Sequence, residues 1–388
     1  MFSDRLPSRL EPNAFSVVLA ELRQKGVPLV DLTVTNPTQV GLAYPPDLLE
    51  ALAGSAGLSY EPEPFGLMSA RTAVAAEMSN AGVKVDPNRV VLTASSSESY
   101  SLLFKLLCDP GDCVLVPQPS YPLFELLTQL ESVESVAYQL ENHGVWSIDR
   151  ESMKGVCGPR TDAVLVVSPN NPTGSMLRRD DREWLVEFAL AGQYAIISDE
   201  VFADFPIMPR SDAVSMLGES RVLTFTLGGL SKSAGLPQLK LGWIVVSGPE
   251  PLVAEALERL EVICDTYLSV STPVQVAASE LIAHGKQVRD AITHRVKQNY
   301  LELERLSTAY PSVRVMEPEG GWSVVIEVPE TVGEEALVRR ILDDAHVVVH
   351  PGYFFDIQRG AHIVVSLLPL PDVFAAAIKK VLDQVADL

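Results

Sequence analysis

The chain has 388 residues and a formal net charge of −20, with 47% hydrophobic and 21% charged residues. That length allows two or three domains, and the composition is that of a globular chain with a large core. The acidic balance argues against binding nucleic acid or an anionic membrane, which need clustered Lys and Arg, so any anion site must be local and preorganised.

Met1-Phe2-Ser3-Asp4-Arg5-Leu6-Pro7 lacks the apolar core of a signal peptide, and no window approaches the ~20 apolar residues of a membrane span. Cys108, Cys113, Cys157 and Cys264 form neither a CxxC pair nor a Cys/His ligand spacing. No metal site is expected, and the chain reads as cytoplasmic with buried thiols. The N-terminal segment to about Pro45 is strand-poor. Apolar runs at 90–93, 114–116, 163–167, 195–197, 222–225 and 241–246 then read as strands, with helical patterns such as 99–107 and 182–190 between them. Strands apolar on both faces and separated by helices predict an α/β fold with a mostly parallel, doubly wound sheet. From about Pro251 a long amphipathic stretch, broken near Ser271-Thr272-Pro273, runs to about Leu306. Short strands at 313–315, 322–326, 347–349 and 363–365 and a last helix from Pro371 follow. These read as a smaller α+β domain. The expected division is 46–275 for the large domain, with 1–45 and 276–388 forming the small one.

Several segments carry chemistry. Thr93-Ala94-Ser95-Ser96-Ser97-Glu98-Ser99 follows a strand and opens a helix. A helix start offers unpaired N–H groups and a positive dipole end, which suit a phosphate; an ordinary serine N-cap with Glu98 in the first turn fits the same residues. Pro117-Gln118-Pro119-Ser120-Tyr121-Pro122 can hold the Tyr121 ring against a planar ligand, or be a surface loop. Ser168-Pro169-Asn170-Asn171-Pro172-Thr173-Gly174 ends a strand where an open α/β sheet has its ligand crevice, and an Asn there supplies an amide donor. Asn-Pro and Thr-Gly are also plain turn chemistry. Ser198-Asp199-Glu200-Val201-Phe202 puts a carboxylate at the end of an apolar strand. A protonated heteroaromatic nitrogen would pair it, and a cap or turn role is the alternative.

The most informative stretch runs from Thr226 to Trp243. A buried strand enters a Gly/Ser turn that presents Lys232, and Lys240 leads the next strand. A lysine held in such a turn can be desolvated, which lowers its pKa and makes the amine a nucleophile for a carbonyl cofactor. Taken alone, Lys232 is a surface-turn lysine; the other segments, in compatible order, favour the nucleophile.

Together these motifs resemble the class I/II, fold-type I aminotransferases that use pyridoxal 5′-phosphate. The resemblance covers nearly the whole chain, and includes YEPEPFGLMSAR at 60–71 and Pro351-Gly352-Tyr353-Phe354-Phe355 as well as the segments above. It implies that Lys232 forms a Schiff base with the cofactor and then moves the substrate proton. Asp199 would pair with the ring nitrogen, Asn171 would bond the ring oxygen, and Tyr121 would stack on the ring. Ser96, Ser97 and Lys240 would bind the phosphate, with Lys240 in the place of a usual arginine. Tyr60 would reach the phosphate of a neighbouring subunit, which implies a homodimer with shared sites. The implied substrates are a small-molecule amino donor and a 2-oxo acid. A C–S lyase or decarboxylase on the same scaffold would use the same cofactor residues, and a cofactor-sensing regulatory module is a third reading.

The chain departs from the family pattern at four places. Phe202 stands where many members have tyrosine, so it cannot donate to the ring oxygen. Lys240 gives up the bidentate fork of arginine. Thr35 lies near a usual glycine. Val364 occupies the position of the arginine that grips the substrate carboxylate, and Arg359, His362 and His350 are the nearest candidates in sequence to replace it.

Overall fold

The computed structural model describes Ser3, Arg5, Leu6 and residues 13–387. The reading of Met1 to Pro7 thus lies largely outside the described residues. A short strand, β1 (Val30–Asp31), comes first. Next come β2 (Val90–Thr93), β3 (Cys113–Gln118), β4 (Glu134–Asn142), β5 (Trp146–Ile148), β6 (Thr161–Val167), β7 (Ala195–Asp199), β8 (Thr224–Gly229) and β9 (Gly242–Ser247). These last eight form one sheet in the order β2-β9-β8-β7-β6-β3-β4-β5. Neighbours from β8 through β7, β6 and β3 to β4 are parallel, whereas β9 runs against both β2 and β8. The carboxyl ends of β2, β8, β7, β6 and β3 therefore share one edge of the sheet with the start of β9. That edge is where an open α/β sheet binds its ligand.

The central strands are buried along their length, which is why they read as unbroken apolar runs. β8 extends past the expected 222–225 because its last residues can lie flat against β9. A Cβ on Gly228 would come within 2.3 Å of the Trp243 indole nitrogen, so only glycine lets the two strands approach. The edge pair β4–β5 was not foreseen. Its residues are mostly half-exposed and lack a clear alternation.

The helices expected at 99–107 and 182–190 are longer, Ser96–Leu107 and Arg179–Gly192. The long amphipathic stretch resolves into Glu250–Tyr267, Thr272–Val276 and Ala278–Ser307. β10 (Arg314–Val315), β11 (Ser323–Val328), β12 (Val347–Val348), β13 (His350–Pro351) and β14 (Ala361–Ser366) follow. Four of them make an antiparallel sheet in the order β10-β11-β14-β13, and β12 pairs with β1. Val288, Ile292 and Val296 from the long helix and Phe374, Ile378 and Val381 from the helix Pro371–Ala386 pack with Ile363 and Val365 in one core. Each such burial contributes about 1.5–3 kcal/mol. Phe15, Leu32 and Val40 join the same core. Cys113 and Cys264 are buried, but Cys108 and Cys157 are only half-buried, so the expectation of buried thiols holds for two of the four. Among the described residues no helix is long and apolar enough to cross a membrane.

Candidate active site

The serine turn sits at the carboxyl end of β2. Ser95 is the N-cap: its hydroxyl accepts from the Glu98 N–H, and the Glu98 carboxylate accepts from the Ala94 N–H. Capping is thus done by Ser95 and Glu98, the alternative weighed for this segment, and it leaves Ser96 and Ser97 unengaged. Neither their amides nor their hydroxyls hold a hydrogen bond among the described residues. They point a first-turn donor set at the same edge from which β9 departs. A Cβ on Gly242 would lie 2.9 Å from the Thr93 hydroxyl and 3.1 Å from the Ser95 backbone, so β9 starts in contact with this turn. Lys240 stands two residues before, exposed and in a left-handed conformation, and makes no ion pair among the described residues.

Asp199 ends β7 and is buried. Its Oδ1 accepts from the Val201 N–H at 3.1 Å and its Oδ2 from the Tyr100 hydroxyl at 2.5 Å. Burial raises this carboxyl above the ordinary range, and the two donors and the charge of Lys232 oppose the rise. No Lys or Arg is paired with it among the described residues, so a buried carboxylate here faces the crevice without a cation of its own. The neighbouring acid, Glu200, is instead satisfied by Ser198, Ser215 and the Met216 N–H.

Lys232 lies in the short helical turn Leu230–Ser233 directly after β8. Its ammonium sits 4.7 Å from the Trp322 ring centroid and 5.1 Å from that of Phe202. Burial lowers it from 10.5 to about 8, against the opposing attraction of Asp199. A surface-turn lysine would not be so enclosed. Phe202 and Phe205 both pack edge-on against Trp322, so the wall of the lysine pocket is aromatic.

Asn171, after β6, is half-buried and its side chain is unbonded among the described residues, whereas Asn170 is fixed to the Pro119 carbonyl. Tyr121, after β3, is 41% exposed, with its ring edge-on to Phe124. The Asn171 loop is braced by the segment between β10 and β11. Buried Glu319 accepts from the Met176 N–H and pairs with Arg178 at 2.5 Å and Arg210 at 3.1 Å. Glu319 also precedes Trp322 by three residues, so one segment supports both Asn171 and Lys232.

The topology thus brings Ser96, Ser97, Tyr121, Asn171, Asp199, Lys232 and Lys240 to one sheet edge. Tyr60 is not among them; it is 71% exposed, near Leu58, which is 89% exposed. Sequence reading missed Tyr100 and the aromatic role of Trp322. Tyr100 falls in the expected helix 99–107 and Trp322 in the expected strand 322–326, and no spacing links Tyr100 to Asp199, which lies 99 residues away. These features fit pyridoxal 5′-phosphate: a start-of-helix donor set and a lysine for the phosphate, an unpaired buried carboxylate, and a nucleophilic amine.

On the substrate side, Val364 is buried in an apolar cluster with Trp146, Met316, Val325, Phe355 and Ile357. His362 is buried beneath Gly352 and Gly360, with its backbone N–H on Glu334. Arg359 and Thr35 are exposed. His350 lies directly opposite Val364, between the rings of Phe354 and Phe355, and its Nδ1 has no partner among the described residues. Burial lowers its imidazole below the usual value, with Asp31 acting the other way.

An α/β chain of this topology, with a half-buried lysine and a buried carboxylate at one sheet edge, has the residues of a cofactor-dependent transferase site. The family model for aminotransferase class I and II matches residues 29–368, and the chain belongs to that family. It is a pyridoxal-phosphate-dependent aminotransferase. It is 26% identical to the alanine aminotransferase of Mycobacterium tuberculosis over 93% of this chain and 86% of that protein. It is 24% identical to the glutamate-pyruvate aminotransferase AlaA of Haemophilus influenzae, over 94% and 93%. The solved alanine aminotransferase of Pyrococcus furiosus superposes with a TM-score of 0.88 at 25% identity, covering both chains fully.

Proposed function

We propose that the enzyme transfers an amino group from a small amino donor to a 2-oxo acid at the edge described above, with Lys232 as its covalent and proton-moving residue. The observation that carries this is the enclosure of Lys232 against Trp322 and Phe202, which leaves a large fraction of its amine neutral near pH 8. When bound, the cofactor supplies a carbonyl carbon for the amine and a ring that withdraws electrons from the substrate.

The residues divide that work. Ser96 and Ser97 would donate backbone and hydroxyl hydrogens to the phosphate, and Lys240 would neutralise it as a point charge. Tyr121 would cover the ring and Asn171 would donate to the ring oxygen. Asp199 would accept the ring N–H and keep that proton in place. The Lys232 Nζ takes a proton from the substrate carbon and returns it. Two neighbouring names, alanine and glutamate-pyruvate aminotransferase, favour pyruvate as an acceptor to test first.

The division into 46–275 and 1–45 plus 276–388, a cytoplasmic location, and a homodimer in which Tyr60 completes the partner's phosphate site belong to the same reading. The exposure of Tyr60 and Leu58 supports the last of these. The test is to mix holoprotein with L-alanine or L-glutamate, without acceptor, and follow the visible band. Loss of the band, and its return on adding pyruvate, is expected. Continuous release of ammonia and a 2-oxo acid without any acceptor would contradict aminotransfer as the reaction.

A further inference from the structure

Asp199 does not stand alone. Its Oδ2 is held at 2.5 Å by the hydroxyl of Tyr100, and its Oδ1 by the Val201 N–H. Tyr100 is 3% exposed, and its ring is fixed by stacking on Phe104 at 6.0 Å and by an edge contact with Phe124 at 5.4 Å. It lies in the first turns of the helix Ser96–Leu107, whose start is the phosphate end of the site. One rigid element therefore reaches both ends of the cofactor position.

We propose that Tyr100 is a positioning residue of the active site, whose phenol orients the Asp199 carboxylate and keeps it ionised opposite the ring nitrogen. The inference rests on the reading of Asp199 given above. The argument is one of competition for a proton. A carboxylate and a pyridine nitrogen that face each other share one proton, and it resides on the stronger base. A phenol donating to the carboxylate stabilises the charged form and makes Asp199 the weaker base, so the proton stays on the ring. Two donors on opposite oxygens also fix the carboxylate plane, so the remaining lone pairs have one direction. The phenol gives up no proton itself, because burial and the adjacent Asp199 charge raise its pKa well above the ordinary value.

The test uses holoenzyme loaded with ¹⁵N-labelled pyridoxal 5′-phosphate. In wild type the ring nitrogen signal is expected at the protonated position near neutral pH. In Tyr100→Phe it is expected to move toward the unprotonated position at the same pH. The accompanying fall in kcat is about ten- to hundredfold, the range for one hydrogen bond to a buried charge, with KM little changed. Cofactor content and melting temperature show whether the fold is intact. Should Tyr100→Phe fail to fold, replacing Tyr100 with 3-fluorotyrosine keeps the shape and strengthens the donor, and the signal should stay at, or move further toward, the protonated position. A ring nitrogen signal and kcat unchanged in Tyr100→Phe would overturn the proposal, as would a shift toward the unprotonated position with the fluorinated side chain. Asp199→Asn separates the two layers. If it leaves the nitrogen signal at the wild-type position, the reading of Asp199 fails; if it abolishes protonation while Tyr100→Phe does not alter it, only the role of Tyr100 fails.

Discussion

His350 and Val364 are direct partners across the β13–β14 pair, and Val325 flanks Val364 on the other side. The position that the resemblance gives to a carboxylate-gripping arginine is the middle of an apolar row, closed by Trp146, Met316, Phe355 and Ile357. A guanidinium placed there has no acidic partner in that cluster. Val364→Arg is expected to destabilise the protein by about 3–5 kcal/mol, the cost of an uncompensated buried charge, and to gain no activity. Thermal denaturation and turnover on alanine measure this. A variant with unchanged melting temperature and improved KM would show that the position still opens toward substrate.

The buried ammonium of Lys232 carries a stability cost in cofactor-free protein. Its value is about 8 when folded and 10.5 in an ordinary environment. Between these pH values the unfolded chain binds more protons at this group, so stability rises with pH. Below about 8 both states are protonated and the full penalty, on the order of 3 kcal/mol, is present. Cofactor-free Lys232→Met is expected to melt above cofactor-free wild type at pH 7, and the gap should close toward pH 10.5. A gap independent of pH would contradict the burial of the ammonium.

Phe202 packs edge-on to Trp322 and lies under the Lys232 ammonium. It cannot donate to the ring oxygen, so that oxygen is less stabilised as an anion than with tyrosine. Phe202→Tyr is expected to lower the pH at which the visible band of the holoprotein changes. A spectral titration showing no downward shift would refute this.

Lys240 contributes charge without a fork. Lys240→Ala is expected to weaken cofactor binding roughly tenfold, and Lys240→Arg to bind at least as tightly as wild type. Equilibrium dialysis of the cofactor with each variant checks both.

Much of the site was legible because each of its loops follows an apolar strand. The runs ending at Thr93, Val116, Val167 and Ile197 announced the sheet, and the polar residues just beyond them announced its edge. Lys232 and Asp199 stood out because a charge at the end of a buried strand demands a reason. What remained hidden depends on contacts distant in sequence. Tyr100 sits on the apolar face of a helix and reads as core until its hydroxyl is seen on Asp199. Trp322 reads as a strand residue until the fold sets it over Lys232. The pair β4–β5 was missed because edge strands with half-exposed residues such as Glu134 and Ser135 lose the apolar signature. The resemblance marked Val364 as the place of an arginine, but the apolar cluster there is built from residues between Trp146 and Val364 and could not be assembled from spacing.

The central claim is that Lys232 is the residue joined to the cofactor. Holoprotein is treated with borohydride, digested, and its peptides are weighed, in parallel with Lys232→Ala. The account predicts a stable pyridoxyl-phosphate addition on the peptide containing Lys232, absent in the variant, together with a visible band that the variant lacks. A cofactor addition on Lys240 or any other lysine, or an unmodified Lys232 peptide from fully loaded protein, would contradict it.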